Sequence, residues 1–449
     1  MKTSTSLLGG SFLFVIFYIL NSIFRFSTSV IVARTLGVEG KGIYALTLLA
    51  SALAILLVNP GLHTALVFYT SKGQFPTVNQ SVLGLYLALG ISLVGGGLLY
   101  GLYHLGIVNQ LLTGVTDVFL GFVLLSIPLN LGALYLSSIL LGHQRILEFN
   151  FVECLRLGSN LCLQGISAWL GGGLNGAVFS WLAANIVALL AATWFLRKEL
   201  IKPWHVPVRV LQPAFSYGIR NYPVNLLNFI NTRLDAFLVN IFAGVSQVGL
   251  YSTSASVAEM LWFIPNAFGN TLFSKIPALK HNEANDLVAQ ACRQSILVML
   301  VTIMLSAFGG PLLIKVVFGT AFSPASIPFL WLLPGVLGLG VSRVLAADFN
   351  GRGKPQLVTL AALVAAGLTL TLDLALIPKY GMRGAAQASS LAYLANAMIL
   401  VFWSRKQNNL DWNILLIPKY NDVLEILQFC KGLIVRLLGR WHFLQNSRD

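Results

Sequence analysis

The chain has 449 residues, of which 56% are hydrophobic and only 10% charged, with a formal net charge of +14. Water-soluble domains carry about 25% charged residues, so this composition excludes a soluble globular protein and, with it, a soluble nucleic-acid binder. The four cysteines lack C-x-x-C spacing and read as small buried residues, and the six histidines are scattered.

A bilayer-spanning helix needs about 20 apolar residues. Twelve windows of that kind follow one another, at 8–33, 42–71, 81–105, 115–141, 147–170, 174–197, 210–241, 248–276, 287–308, 325–349, 356–377 and 383–404. They are too long and too uniformly apolar for barrel strands, which predicts an all-α polytopic membrane protein of about 12 transmembrane helices. The first window follows Lys2 without an Ala-x-Ala cleavage site and reads as a retained helix. With both termini cytoplasmic, thirteen Lys and Arg residues fall in the inside connections and five, Arg34, Lys41, Lys315, Lys379 and Arg383, fall outside. That asymmetry satisfies the positive-inside rule.

In the first window Tyr18, Asn21, Arg25 and Thr28 share one helical face. The turn after it, Arg34-Thr-Leu-Gly-Val-Glu-Gly-Lys-Gly-Ile-Tyr44, returns 207 residues later as Gly244-Val-Ser-Gln-Val-Gly-Leu-Tyr251. The second window contains Asn59 beside Pro60, expected to kink it. Gly142-His-Gln-Arg145 follows the fourth window, and the fifth carries Glu153 and Arg156 at a spacing that predicts a local ion pair. Gly173-Leu-Asn-Gly-Ala177 opens the sixth.

The seventh window repeats the polar stripe as Asn225, Asn228, Thr232 and Asp235, each 207 positions after its counterpart, with Asn221 one turn earlier and Arg233 on a neighbouring face. Asp235 is the expected resting partner of Arg25, because an unpaired charge at that depth is costly. Asn266 beside Pro265 repeats the proline kink in the eighth window. Glu259 in that window, with no partner nearby in sequence, and Asp373 in the eleventh are candidate proton acceptors for coupling. Arg343 and Asp348 sit near an inner end, where snorkelling to the interface and a functional role are both open readings. Gly351-Arg-Gly-Lys354 and Gly381-Met-Arg-Gly-Ala385 echo the turns before the fifth and sixth windows.

Matches in one order at one offset indicate an internal duplication. Six spans per half give parallel repeats, predicted as a six-helix lobe over 1–200, a cytoplasmic linker over 201–209 and a second lobe over 210–405, with a central cavity between them. The tail 406–449 contains an amphipathic basic pattern between Asp422 and Leu444, which suits a helix lying on the cytoplasmic leaflet. No H-E-x-x-H, G-x-S-x-G or Walker A signature is present, so neither an enzyme nor a cofactor or metal is expected.

Six plus six helices, with the Ala33–Ala45 turn after the first and Gly-His-Gln-Arg after the fourth, resemble the polysaccharide transporter family. That family includes the Wzx-type O-antigen flippases and belongs to the multidrug and oligosaccharidyl-lipid exporter superfamily, whose members share the MATE-like fold. The resemblance implies translocation of a polyprenyl-diphosphate-linked oligosaccharide from the inner to the outer leaflet of a bacterial inner membrane, alongside glycan polymerases or other biosynthesis proteins. A cationic cavity would receive sugar and diphosphate, with Arg25 where its lining is expected. The rival of the same fold is a drug or metabolite cation antiporter.

Overall fold

The apolar residues from Leu7 onward continue as helix to Val58, forming α1 (Leu7–Val58), because the predicted turn near residue 37 is taken by a single glycine rather than by a loop. Gly37 adopts φ 68° and ψ −171° inside the helix, a conformation that a side chain disfavours. Its counterpart Gly244, with φ 84°, divides α8 (Val208–Ala243) from α9 (Val245–Met260). The duplicated turn is therefore a duplicated backbone bend.

The structure, a computed structural model, describes residues 7–73, 77–106, 113–200 and 208–428. Between and beyond the elements already named lie α2 (Leu62–Ser71), α3 (Thr77–His104), α4 (Asp117–Gly142), α5 (Ile146–Trp169), α6 (Gly173–Phe195), the short α7 (Arg197–Leu200), α10 (Phe263–Lys275), α11 (His281–Leu313), α12 (Ser326–Gly351), α13 (Pro355–Tyr380), α14 (Met382–Asn408) and α15 (Trp412–Leu416). No strand occurs among the described residues. Eight helical stretches are long and apolar enough to cross a membrane. The second predicted window is two helices, since Gly61 takes φ 75° after Pro60. Asn59 Oδ1 accepts from the Leu62 backbone N–H at 3.2 Å and from the Tyr135 hydroxyl at 3.2 Å, so the break is capped by the asparagine beside it. On the other side of the duplication, Pro265 and Asn266 fall in the first turn of α10, just after a break in the helix.

Two compact units result, Met1–Met260 with Gly310–Trp331 and Ala366–Ser389, and Leu261–Gly309 with Leu332–Ala365 and Ser390–Asp449. In the first, α4 packs against α2, α3 and α6 through Val123, Ile127, Leu131 and Tyr135, all fully buried. In lipid such association rests on close van der Waals packing and interhelical hydrogen bonds rather than on a hydrophobic driving force. Small residues are accordingly found where backbones meet. A Cβ at Gly42 would overlap the Val245 carbonyl, and one at Gly249 would overlap the Val38 carbonyl. These four positions are two repeat-related pairs, so the two copies of the turn pack reciprocally on each other. Gly61 and Gly218 meet in the same manner between α2 and α8.

Two cations near the α1 bend serve this unit internally. The Arg34 guanidinium donates to the carbonyls of Val316 and Val317, the latter at 2.8 Å. Lys41 is buried, donates to Ser29 Oγ at 2.9 Å and lies 4.6 Å from the Phe318 ring centroid.

The second unit has a core of Leu272, Val288, Cys292, Val344, Phe349 and Leu400. Asp348 does not snorkel: it is fully buried and accepts from Arg352 Nε at 2.5 Å and Asn408 Nδ2 at 3.1 Å. Side-chain partners just after α12 and on α14 remove the reason to reach for the interface. Arg293 donates to Asp422 at 2.6 Å and to the Ile414 carbonyl at 2.9 Å, fastening the chain after α14 to α11. Burial pushes the Asp422 carboxyl up, but hydrogen bonds from Arg293 and the Lys419 backbone outweigh it and hold the group below its ordinary range. The tail is helical over 420–428; the rest of the predicted amphipathic helix, and linker residues 201–207, lie outside the described residues.

Candidate substrate-binding site

The first polar stripe lies on α1 before its bend. Arg25 presents a side chain that is 61% exposed and donates to Glu153 Oε1 at 2.8 Å. Glu153 also accepts from Arg156 at 2.7 and 2.8 Å, so the predicted local pair on α5 exists and Arg25 joins it as a third member. One carboxylate therefore serves two guanidinium groups, leaving a net positive charge at the cluster. Tyr18 is exposed, Asn21 half-buried and Thr28 buried.

The second stripe, on α8, is arranged differently. Asn225 and Thr232 are half-buried and Asn228 is exposed, with Thr232 Oγ1 donating to the Asn228 carbonyl at 2.7 Å. The side chain of Asn221 lies outside the described ones. Arg233 pairs with Glu259 of α9 at 3.1 Å, which supplies the partner that Glu259 lacks in local sequence.

Asp235 is not the partner of Arg25. It is 5% exposed and accepts hydrogen bonds from the Tyr251 hydroxyl, from Ser389 Oγ at 3.3 Å and from the Ala236 backbone N–H at 2.7 Å. The physical reason is the face it occupies: Asp235 turns toward α9 and α14, where three donors satisfy it, while Arg25 stays on an exposed face within reach of α5. Asp373 of α13 is fully buried near enough to Asp235 for their charges to interact, and among the described residues neither of its carboxylate oxygens has a hydrogen-bond partner. Thr369 Oγ1, one turn earlier on α13, donates to Asn231 Oδ1 at 3.3 Å and ties that helix to α8.

Sequence reasoning missed Glu153 as the partner of Arg25 and Tyr251 and Ser389 as the partners of Asp235. One signal was available, because Tyr251 closes the second copy of the repeated turn where Tyr44 closes the first. Both tyrosines are buried and engage a polar side chain: Tyr44 receives a hydrogen bond from Gln164 at 3.4 Å, and Tyr251 donates to Asp235. For Ser389, 154 residues from Asp235, nothing local pointed to the contact.

Residues 31–327 match the sequence profile described as "Polysaccharide biosynthesis protein". The chain belongs to that family. Among curated proteins, it is 25% identical to the "Putative O-antigen transporter" of Shigella flexneri, over 82% of this chain and 90% of that protein. It is 22% identical to the "Probable low-salt glycan biosynthesis flippase Agl15" of Haloferax volcanii, over 82% of this chain and 77% of the relative. Among solved structures, the lipid II flippase MurJ in an inward closed conformation superposes with a TM-score of 0.72 at 16% identity, covering 98% of this chain and 100% of MurJ. An inward-facing multidrug resistance MATE family transporter gives 0.70 at 13% identity, covering 87% and 94%. This family member is thus a multi-pass membrane protein with the MATE-like fold.

Proposed function

We propose that the protein is a flippase that moves a polyprenyl-diphosphate-linked oligosaccharide from the inner to the outer leaflet of a bacterial inner membrane by alternating access. The observation that carries this reading is Arg25, a largely exposed guanidinium on an apolar helix whose carboxylate partner, Glu153, is shared with Arg156. A guanidinium matches phosphate oxygens in a two-pronged geometry, and a shared carboxylate is readily displaced by a dianion. The names of the O-antigen and glycan-flippase relatives agree with such a substrate. Tyr18, Asn21, Asn225 and Asn228 offer hydrogen bonds to sugar hydroxyls, with Thr232 and Arg233 beside them.

In this reading the halves 1–200 and 210–405 act as two parallel six-helix lobes joined by the cytoplasmic linker 201–209, with both termini inside. The reciprocal glycine contacts of the duplicated turns close one end of the pathway, and the Gly61 and Gly218 contact closes the other. Asp235 and Asp373, two buried carboxylates close together, exchange a proton as the lobes move, since one shared proton removes their repulsion. Glu259 stays with Arg233. Asn59 and Asn266 stand at the two helix breaks and act as hinge caps.

An anionic diphosphate leaving a negative-inside cell descends the electrical gradient by about 2.3 kcal/mol per charge per 100 mV, so ion coupling contributes only part of the driving force. Against the drug antiporter stands the pairing of Glu153 and Glu259, the half-buried carboxylates beside the stripes, with Arg25 and Arg233; an organic cation would meet paired acids there.

The deciding experiment reconstitutes the purified protein into proteoliposomes and follows the transfer of a fluorescent polyprenyl-diphosphate sugar between leaflets. Protein-dependent transfer is expected. A protein that exports cationic dyes but leaves the lipid-linked sugar in place refutes the reading.

A further inference from the structure

Beyond the stripes, one cavity of the first unit has a character that neither transport route uses. It measures about 670 Å³ and lies between the turn joining α8 to α9 and the turn joining α13 to α14. Lys379 and Arg383 line it, both exposed, and no carboxylate does. Neither cation makes an ion pair or a side-chain hydrogen bond among the described residues. Arg34 and Lys41, also assigned to the outer end by sequence, are in contrast consumed by contacts with Val316, Val317, Ser29 and Phe318.

Two further sources of positive potential meet at the same place. The cavity is lined by residues at the starts of both α9 and α14. The first turn of a helix carries unsatisfied N–H groups and the positive end of the peptide dipoles. Gln247 Oε1 accepts the Met382 N–H at 2.8 Å, which satisfies one of these donors and ties the two helix starts together.

The duplication supplies an internal control. Gly173 and Gly381 occupy matching positions with φ of 56° and 55°, although Gly171, at the position of Lys379, takes φ 69° where Lys379 continues the helix. At the positions of Lys379 and Arg383 the first half has Gly171 and Asn175, and at the position of Gln247 it has Gly40. The glycine bend recurs without the charges, so the bend itself does not require them. On the proposed orientation they also lie at the outer end, where the positive-inside rule disfavours cations.

We infer that this cavity is an outer-leaflet receptor for the diphosphate of a lipid, holding the flipped headgroup between Lys379, Arg383 and the two helix starts before the product departs. This rests on the functional reading above. A lipid fits better than a free anion because Phe242, Leu250 and Tyr380 also line the cavity, and exposed aromatic residues such as Phe242 and Tyr380 favour the membrane interface.

The test uses the full-length protein in neutral phosphatidylcholine nanodiscs, carrying Arg25→Ala to silence the cavity of the stripes, and a photoactivatable farnesyl diphosphate. Labelling is expected in the segment 377–383, and Lys379→Gln with Arg383→Gln should weaken it about tenfold, the order for losing two solvent-exposed charge contacts. Unlabelled farnesyl diphosphate should compete, and phosphatidylglycerol at the same concentration should not. Labelling that ignores the double substitution, or that never reaches 377–383, overturns the inference. Equal competition by phosphatidylglycerol overturns the assignment to a diphosphate lipid and makes the cavity a phospholipid site. Transfer assays on the otherwise wild-type protein separate the two proposals, because transfer without labelling at 377–383 ends this inference alone, whereas absence of transfer ends the functional reading.

Discussion

The two polar stripes occupy repeat-related helices yet do opposite things with charge. On α1 the charge is held out: Arg25 is 61% exposed and its carboxylate is divided between two guanidinium groups. On α8 the residue at the matching depth is Thr232, and the notable charge lies one turn on, where Asp235 is enclosed by Tyr251, Ser389 and a backbone amide. Thr28, the counterpart of Asp235, is buried but neutral. The lesson is that duplication reproduces bends and close backbone contacts, whereas the arrangement of charge is where the copies differ.

The sharpest way to break this comparison is to remove the exposed cation. Arg25→Ala should slow transfer of the lipid-linked sugar about ten- to a hundredfold, as expected for losing one charged hydrogen bond of about 1.5–3 kcal/mol; Arg25→Lys should retain part of the rate, because a point charge replaces a two-pronged donor. Rates in proteoliposomes at equal protein density check both.

On the enclosed side, Asp373→Asn removes one member of the carboxylate pair while keeping its volume. Transfer should fall about fivefold, corresponding to about 1 kcal/mol, and should lose its dependence on an imposed pH gradient. A variant that still responds to the gradient as the wild type does would show that the pair is structural.

A packing variant tests what the copies share. Gly249→Val forces a side chain into the Val38 carbonyl and should lower stability by about 1–3 kcal/mol, read as a drop in the melting temperature of the detergent-solubilised protein. Gly97→Val, at a position with open space around it, is the control and should melt close to the wild type.

The smallest effect is expected at the second arginine. Arg233 and Glu259 form a partly exposed pair, and such pairs contribute about 0–1 kcal/mol. Arg233→Gln should leave transfer within about threefold of the wild type. A loss as deep as that of Arg25→Ala would erase the asymmetry between the stripes.

The helical membrane architecture and the duplication were legible because both depend on period and offset, which the chain displays directly. Gly37 and Gly244 even marked the bends, although the first proved to be a bend within α1 and not a loop. Partners were not legible. Arg25 and Glu153 are 128 residues apart and Asp235 and Ser389 are 154 apart, and which face of a helix meets which neighbour depends on helix rotation that an apolar sequence leaves open. The expected pairing of Arg25 with Asp235 fails because the two residues turn to different neighbours, Arg25 to α5 and Asp235 to α9 and α14. The place of Asp348 stayed open for a related reason: its partner Asn408 arrives from another helix.

The account's central claim is that Arg25 recognises the diphosphate itself, and a protein–ligand cycle addresses it most directly. Binding of polyprenyl diphosphate and polyprenyl monophosphate sugars is measured for the wild type and for Arg25→Ala. The account predicts that removing one phosphate weakens binding strongly in the wild type and only slightly in the variant; an equal loss in both would contradict it.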